Sequence, residues 1–419
     1  MKPVQRHQLD AATQALGTVL TFERPADVVL HDFFRSRPAL GSHDRAFVAE
    51  SVFGVLRRKR LVDLVAPHAT PRRMLLAYLA RVGGMSVREL APLLAREETE
   101  AVSRMKAVPL DDLPLGVAAE LPDWVVERLR ARTPDAEILA LGRALQEPAP
   151  LDLRVNTVRA RREAVLAELA KAGIDAHPTP YSPAGIRVRG KPPINRHPLF
   201  LDGSIEVQDE GSQLLAYAVA PRRGELVVDF CAGAGGKALM LGALMHSHGR
   251  VYAFDVSERR LARLKPRLKR SGLSNLHPIV IASENDAKVK RLASRVDRVL
   301  VDAPCSGLGT LRRNPDLKWR QTPASVEELV RKQASILAAA ARLVKPGGRL
   351  VYATCSLLAE ENEEIVTGFL GGRADFERLD CGELMRAQRI DLDTGGYLEL
   401  RPHVHGTDGF FAAAMLRKA

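Results

Sequence analysis

Along the first 145 residues, apolar positions recur every three or four residues. In "HDRAFVAESVFGVLRRKRLVDLVA", Phe47, Val48, Val52, Val55 and Leu56 recur at helical intervals, and the basic cluster Arg57 to Arg60 follows. The same spacing runs through "TPRRMLLAYLARVGG" and "LPDWVVERLRARTPDAEILALGRALQ", so residues 1–145 are expected to form a helical domain. The texture changes at the proline-rich "EPAPLDLRVNTVRA". Strands are expected at "LDLRVNT", "GIRVRG" and "GSIEVQDE" and a helix at "REAVLAELAKAGI", closed by Gly173, which gives a small α/β module over 146–220. From Pro221 onward, apolar strands ("GELVVDF", "RVYAFD", "DRVLVDAP", "GGRLVYAT") alternate with helices ("ALMLGALM", "SERRLARLKPRLKRSG", "VEELVRKQASILAAAARLV"). Such alternation predicts a mostly parallel, doubly wound sheet over 221–419, whose ligands bind at the C-terminal ends of the strands.

Composition narrows the class. A chain of 419 residues exceeds one ordinary core, and 46% hydrophobic with 27% charged residues is the balance of a soluble, folded protein. No window reaches the roughly 18 apolar residues of a membrane helix, and the N-terminus lacks a signal peptide's apolar core. A cytoplasmic protein without membrane contact is expected. The net charge of +12 favours a polyanionic partner, and the 5% aromatic content confines base stacking to a few places. The cluster Arg57, Arg58, Lys59, Arg60 reads either as a solvated helix end or as an RNA contact. The four cysteines, Cys231, Cys305, Cys355 and Cys381, lack metal-ligand spacing, so neither a disulfide framework nor a metal site is expected.

Chemistry enters with "DFCAGAGGKA". Cys231, Ala232, Gly233, Ala234, Gly235, Gly236 and Lys237 form a strand-to-helix turn in which Gly233 and Gly235 let backbone approach a ligand. Asp255 ends the next strand about 20 residues later, the position from which a carboxylate takes both hydroxyls of a ribose. Gly233, Gly235 and Ala238 also satisfy a dinucleotide fingerprint, which keeps a dehydrogenase in view. Lys237 and two strand-end cysteines suit a methyl donor beside a nucleophile better than they suit hydride transfer.

Those cysteines follow "RVLVDAP" and "RLVYAT", and each precedes a serine, giving "PCS" and "TCS". A lone thiol is ordinarily a small buried hydrophobe. Two at equivalent strand ends point to chemistry. Carbon 5 of a pyrimidine is too weakly nucleophilic to accept a methyl group directly, whereas a thiolate adding at carbon 6 turns the ring into an enamine whose carbon 5 attacks. The carbon 5 proton must then leave and the thiolate be expelled, steps that a second thiol can assist. Asp302, three residues before Cys305, is placed to hydrogen-bond the polar edge of a cytosine.

"DFCAGAGGK", "DAPCSGLGTLRRNPDLKW", "ATCSLLAEEN" and "GTDGFF" resemble the motifs of the RsmB/Sun (NOL/NOP) family of S-adenosylmethionine-dependent RNA cytosine-5 methyltransferases. "LRVNT" and "VQDEGSQL" resemble that family's RNA-binding module, and within residues 1–145 "DRAFVAESVFGVLRRKRLVD" is similar to the helical N-terminal domain of its rRNA members. The resemblance implies a Rossmann-like class I methyltransferase domain, S-adenosylmethionine as cofactor and RNA as partner, with rRNA favoured and tRNA open. It implies Cys355 as nucleophile, Cys305 as the thiol aiding release, Lys237 as the family's lysine and Asp255 as its ribose-binding acid. The family's usual proline in the turn is Ala234 here. Its adenine-contacting acid is not found as such in "VIASENDAK", where Asp286 or Glu284 is the expected substitute. Arg312, Arg313, Lys318 and Trp319 are expected at the pocket rim, against phosphate and an unpaired base. Arg259, Arg263, Arg267 and Arg270 read either as a track for RNA backbone or as a solvated face. A monomer is expected. A DNA cytosine-5 methyltransferase would leave Cys355 unexplained, and a non-catalytic assembly factor would leave both strand-end cysteines unexplained.

Overall fold

The computed structural model describes residues 4–419. The chain divides into two compact units, Met1–Pro148 with Thr310–Pro323, and Ala149–Gly309 with Ala324–Ala419.

The first unit is helical. Its core gathers Leu9, Leu16, Val48, Val52, Leu56, Leu75, Leu76 and Leu90, all essentially inaccessible to solvent. The helically spaced stretch His43 to Ala66 falls in two helices, Ser42–Arg57 and Lys59–Val65, because Arg58 (φ −108°, ψ 24°) leaves the helical region. The buried Glu120 carboxylate accepts the Arg60 and Leu61 N–H groups that the break leaves without helical partners. Pro134 likewise separates Asp123–Arg130 from Asp135–Gln146.

The segment Thr310–Pro323 is built into this unit. Trp319 packs on its core and donates Nε1–H to the Leu56 carbonyl at 2.8 Å. Lys318 Nζ donates to the carbonyls of Arg57 (2.9 Å) and Glu120 (2.7 Å), and Asp316 Oδ2 accepts the Ala26 N–H at 3.2 Å. For Arg312, Lys318 and Trp319 this corrects the expectation of a basic pocket rim, while Arg313 is exposed. Arg312 and Lys318 are buried and Trp319 is partly covered, since an indole and a lysine with carbonyl acceptors gain more from this core than from solvent. The basic cluster is committed internally as well: Arg57 donates to the Arg312 carbonyl, Arg58 to Gln146, Lys59 pairs with Asp63 and Arg60 with Asp123.

The second unit holds two sheets. In the smaller, β1 (Leu151–Val155), β2 (Ala176–Pro178), β3 (Gly185–Val188) and β4 (Ile205–Val207) are antiparallel in the order β2-β3-β1-β4. In the larger, β5 (Leu226–Asp229), β6 (Arg250–Asp255), β7 (Leu276–Val280), β8 (Val296–Asp302) and β9 (Val344–Thr354) are parallel. β10 (Phe376–Leu379), β11 (Leu398–Leu400) and β12 (Phe410–Arg417) add an antiparallel edge, giving the order β10-β12-β9-β8-β5-β6-β7 with β11 on β12.

Both faces of the large sheet are covered, as near-continuous apolar strands require. Val227, Val251, Ala253, Leu300, Val351, Ala412 and Ala414 face the helices Glu210–Val219, Gly236–Leu244 and Glu258–Ser271. Their chain neighbours Val228, Phe254, Val299, Val301, Leu350, Tyr352 and Ala413 face the helices Pro323–Ala341 and Glu363–Gly371. Among the described residues, no helix is long and apolar enough to cross a membrane.

Candidate active site

Strand order reverses at β5, which has β8 on one side and β6 on the other. The crevice at such a switch point lies beyond the C-terminal strand ends, here marked by Asp229, Asp255 and Asp302. Asp255 anchors the glycine turn: its Oδ2 accepts the Gly233 N–H at 2.8 Å and its Oδ1 the Ser257 N–H at 2.7 Å. Gly235 is left-handed (φ 78°) and caps the helix Gly236–Leu244, and a Cβ there would stand 2.2 Å from Leu264 Cδ1. A Cβ on Gly233 would meet nothing within 4 Å, so the cradle in front of the turn is open.

Asp229, which the sequence reading left inside its strand, is buried with neither carboxylate oxygen hydrogen-bonded. Burial pushes its carboxyl up to about 7, Asp302 reinforces the shift, Lys237 and the Cys231 amide oppose it, and Asp255 adds to it. Lys237 Nζ donates to Asp302 Oδ2 at 2.7 Å and lies 5.7 Å from the centre of the Phe410 ring. Burial alone would pull the Lys237 ammonium down, but Asp302, with Cys355 and Asp229 nearby, holds it above its ordinary value.

The two cysteines meet. Cys305 and Cys355 Sγ atoms are 3.4 Å apart, and the Cys355 N–H donates to Cys305 Sγ at 3.3 Å. Hydrogen bonding to Cys355, then burial, then the charges of Cys355 and Glu361 push the Cys305 thiol well above its ordinary value. Burial, with the three strand-end carboxylates, does the same to Cys231, and burial raises the thiol of Cys381, which lies in the core. The turn after Cys305 is pinned as well: the Gly309 N–H donates to the Cys355 carbonyl and the Gly409 N–H to the Gly309 carbonyl, both at 2.8 Å.

The small module reaches the glycine turn, which its sequence did not advertise. Arg154 of β1, fully buried, donates Nη1–H to Gln208 Oε1 at 2.5 Å and to the Gly236 carbonyl at 2.6 Å. Arg267 reaches the Ala234 carbonyl at 2.6 Å and shares Glu206 with Arg270. Arg267 and Arg270 are thus internal, while Arg259 and Arg263 are exposed. Asp286 caps the turn Ala287–Lys290, accepting the Ala282 and Lys288 N–H groups, and Glu284 accepts from Ser335 Oγ at 2.7 Å.

The residues present fit S-adenosylmethionine. A buried carboxylate without hydrogen-bond partners suits a cationic ligand, an open glycine cradle admits it, and the strand-end Asp255 suits a ribose diol. Fold and site together define a Rossmann-like methyltransferase. A family model described as 16S rRNA methyltransferase RsmB/F matches residues 216–416, and one for the RsmF/B-like ferredoxin-like domain matches 121–195. A probable ribosomal RNA small subunit methyltransferase B of Synechocystis sp. is 32% identical, covering 94% of this chain and 95% of its own. The ribosomal RNA small subunit methyltransferase B of Pectobacterium atrosepticum is 35% identical over 89% of this chain and 91% of its own. The crystal structure of PH0851 superimposes with a TM-score of 0.80 at 26% identity, covering 98% of this chain and 99% of that one. The chain belongs to the RsmB/F family of rRNA methyltransferases.

Proposed function

We propose that this protein transfers a methyl group from S-adenosylmethionine to carbon 5 of a cytosine in rRNA through a covalent adduct with Cys355. The observation that carries the reading is the pair of thiols 3.4 Å apart beside the Lys237–Asp302 pair. S-adenosylmethionine, when bound, supplies the methyl group as a sulfonium substituent. Asp229, Asp255 and the turn Cys231–Lys237 would hold it, with Asp286 or Glu284 toward the adenine. Cys355 adds its sulfur, as thiolate, to carbon 6, while Asp302, oriented by Lys237, hydrogen-bonds the polar edge of the base and favours the ring protonated at that edge, which takes up the electrons displaced from carbon 6. After methylation a base removes the carbon 5 proton, and the electron pair left behind expels the Cys355 thiolate. Cys305 retains its proton and donates S–H to the departing sulfur. A base within a helix must be unpaired or flipped to reach these thiols.

The test is a denaturing gel of wild type, Cys305→Ala and Cys355→Ala after incubation with cellular RNA and S-adenosylmethionine. Cys305→Ala is expected to accumulate a slow-migrating protein–RNA adduct and Cys355→Ala to lose methyl transfer. Trapping by Cys355→Ala would reverse the two roles, and methylation untouched by either change would end the two-thiol reading. Sequencing the labelled RNA separates rRNA from tRNA.

A further inference from the structure

The strongest unassigned feature is a carboxylate lying behind both thiols. Glu361 sits in the short turn Ala359–Glu361 and is fully buried. Its Oε2 accepts the hydroxyls of Ser306 and Ser356, each at 2.5 Å. Its Oε1 accepts the Ser306 N–H at 2.8 Å and Gln333 Nε2–H at 2.9 Å, and Gln333 also donates to the Pro304 carbonyl at 2.9 Å. Ser306 follows Cys305 and Ser356 follows Cys355, so each hydroxyl that Glu361 grips is one peptide unit from a thiol. Pro304, on the other side of Cys305, is held through Gln333. One side chain therefore ties both cysteine turns together, although they arise 50 residues apart.

We infer that Glu361 is a positioning residue: by gripping Ser306 and Ser356 at once it sets the distance between the Cys305 and Cys355 thiols. The arrangement is demanding. Each turn could satisfy its serine hydroxyl with a local carbonyl, and an apolar residue would fill the same space without burying a charge-bearing group. A carboxylate with four donors fixes both turns, which independent serine bonds would not. Its negative charge also helps keep Cys305 protonated. The inference deepens the two-thiol reading and rests on it for its part in the reaction. The spacing itself can be measured without RNA.

The experiment compares full-length wild type, Glu361→Ala, Glu361→Gln and the double variant Ser306→Ala/Ser356→Ala. The first measurement is the rate of Cys305–Cys355 disulfide formation with diamide, with the cross-link mapped by mass spectrometry. Diamide takes up the two protons and two electrons that the thiols lose. Glu361→Ala and the serine double variant are expected to cross-link about tenfold more slowly than wild type. Glu361→Gln keeps an acceptor for the Ser306 N–H and Gln333 and offers donors to the serine oxygens, so it should restore most of the rate. In methyl transfer, Glu361→Ala should lower kcat about 100-fold with KM for S-adenosylmethionine and RNA unchanged, and Glu361→Gln should rescue it. Should Glu361→Ala not fold, the serine double variant carries the test. Wild-type cross-linking rates in the alanine variants, or a glutamine variant as slow as they are, would overturn the inference. Normal cross-linking behaviour without methyl transfer by wild type would instead sink the functional reading and leave the positioning intact.

Discussion

Cys305 Sγ lies 3.4 Å from Cys355 Sγ and accepts the Cys355 backbone N–H at 3.3 Å, across two neighbouring parallel strands, β8 and β9. The hydrogen bond between the sulfurs is the largest cause of the raised Cys305 value. Removing Cys355 should therefore lower it. Thiolate is the alkylating form, so Cys305 should react with iodoacetamide at pH 8 about tenfold faster in Cys355→Ala than in wild type. Equal rates, followed by mass spectrometry of the Cys305 peptide, would show that burial alone sets this thiol.

The backbone beside the thiols is as crowded as the cradle beside Gly233 is open. A Cβ on Gly309 would stand 2.2 Å from the Gly409 carbonyl oxygen and 2.9 Å from that of Cys355. Neither obstacle is a flexible side chain, so one of the two loops must shift. Gly309→Ala is expected to cost about 1–3 kcal/mol of stability and to lower kcat about 100-fold through the displaced Cys355 turn. Denaturant unfolding and single-turnover methylation measure the two effects. Unchanged values in both would mean that the turn has slack.

Trp319 tests the corrected placement of Thr310–Pro323. Its Nε1–H reaches the Leu56 carbonyl, and the Lys59 and Lys318 ammonium groups lie 5.3 Å and 4.9 Å from its ring centre. Trp319→Ala should therefore destabilise the helical unit by about 2–4 kcal/mol. The slope of log affinity for RNA against log salt should stay as in wild type. A slope reduced by about 1 in Lys318→Met, with the melting temperature unchanged, would return this segment to the RNA.

Periodicity carries the elements further than their partners. The parallel strands and their helices were legible because apolar runs bounded by turns have few alternatives, and Cys305 and Cys355 could be paired from equivalent strand ends alone. Trp319 and Lys318 follow the "PCS" motif closely, yet their partners Leu56, Arg57 and Glu120 lie some 200 residues or more away, a separation no local pattern encodes. Glu361 of "ATCSLLAEEN" and Arg154 of "LDLRVNT" lie in stretches whose local pattern marks neither side chain as buried or shared between elements. Their burial follows from donors and acceptors brought in by other elements: Ser306, Ser356 and Gln333 for Glu361, Gln208 and Gly236 for Arg154. Charge reading failed in the same way. Arg267 and Arg270 keep helical spacing with the exposed Arg259 and Arg263, but Glu206 of β4 takes both of their head groups.

Asp229 gives the site a pH dependence of definite sign. Burial, with Asp302 second, raises its carboxyl from 3.8 to about 7. The folded protein therefore keeps a proton that the unfolded chain releases, and the stability this group contributes falls as pH rises from about 4 through 7. Asp229→Asn carries no titrating proton, so the variant should lack that decline and melt higher than wild type at pH 8. Function should run the opposite way. Above pH 7 the buried Asp229 at the end of β5 is ionised, has no hydrogen-bond donor and attracts a cationic ligand, so wild-type affinity for S-adenosylmethionine should strengthen between pH 6 and pH 8. In Asp229→Asn the affinity should be weaker at pH 8 and nearly independent of pH. Thermal melts of the ligand-free protein and calorimetric titrations across this range give both curves. A variant whose melting and binding profiles parallel those of wild type would place the titrating group elsewhere and leave Asp229 as a packing residue of β5.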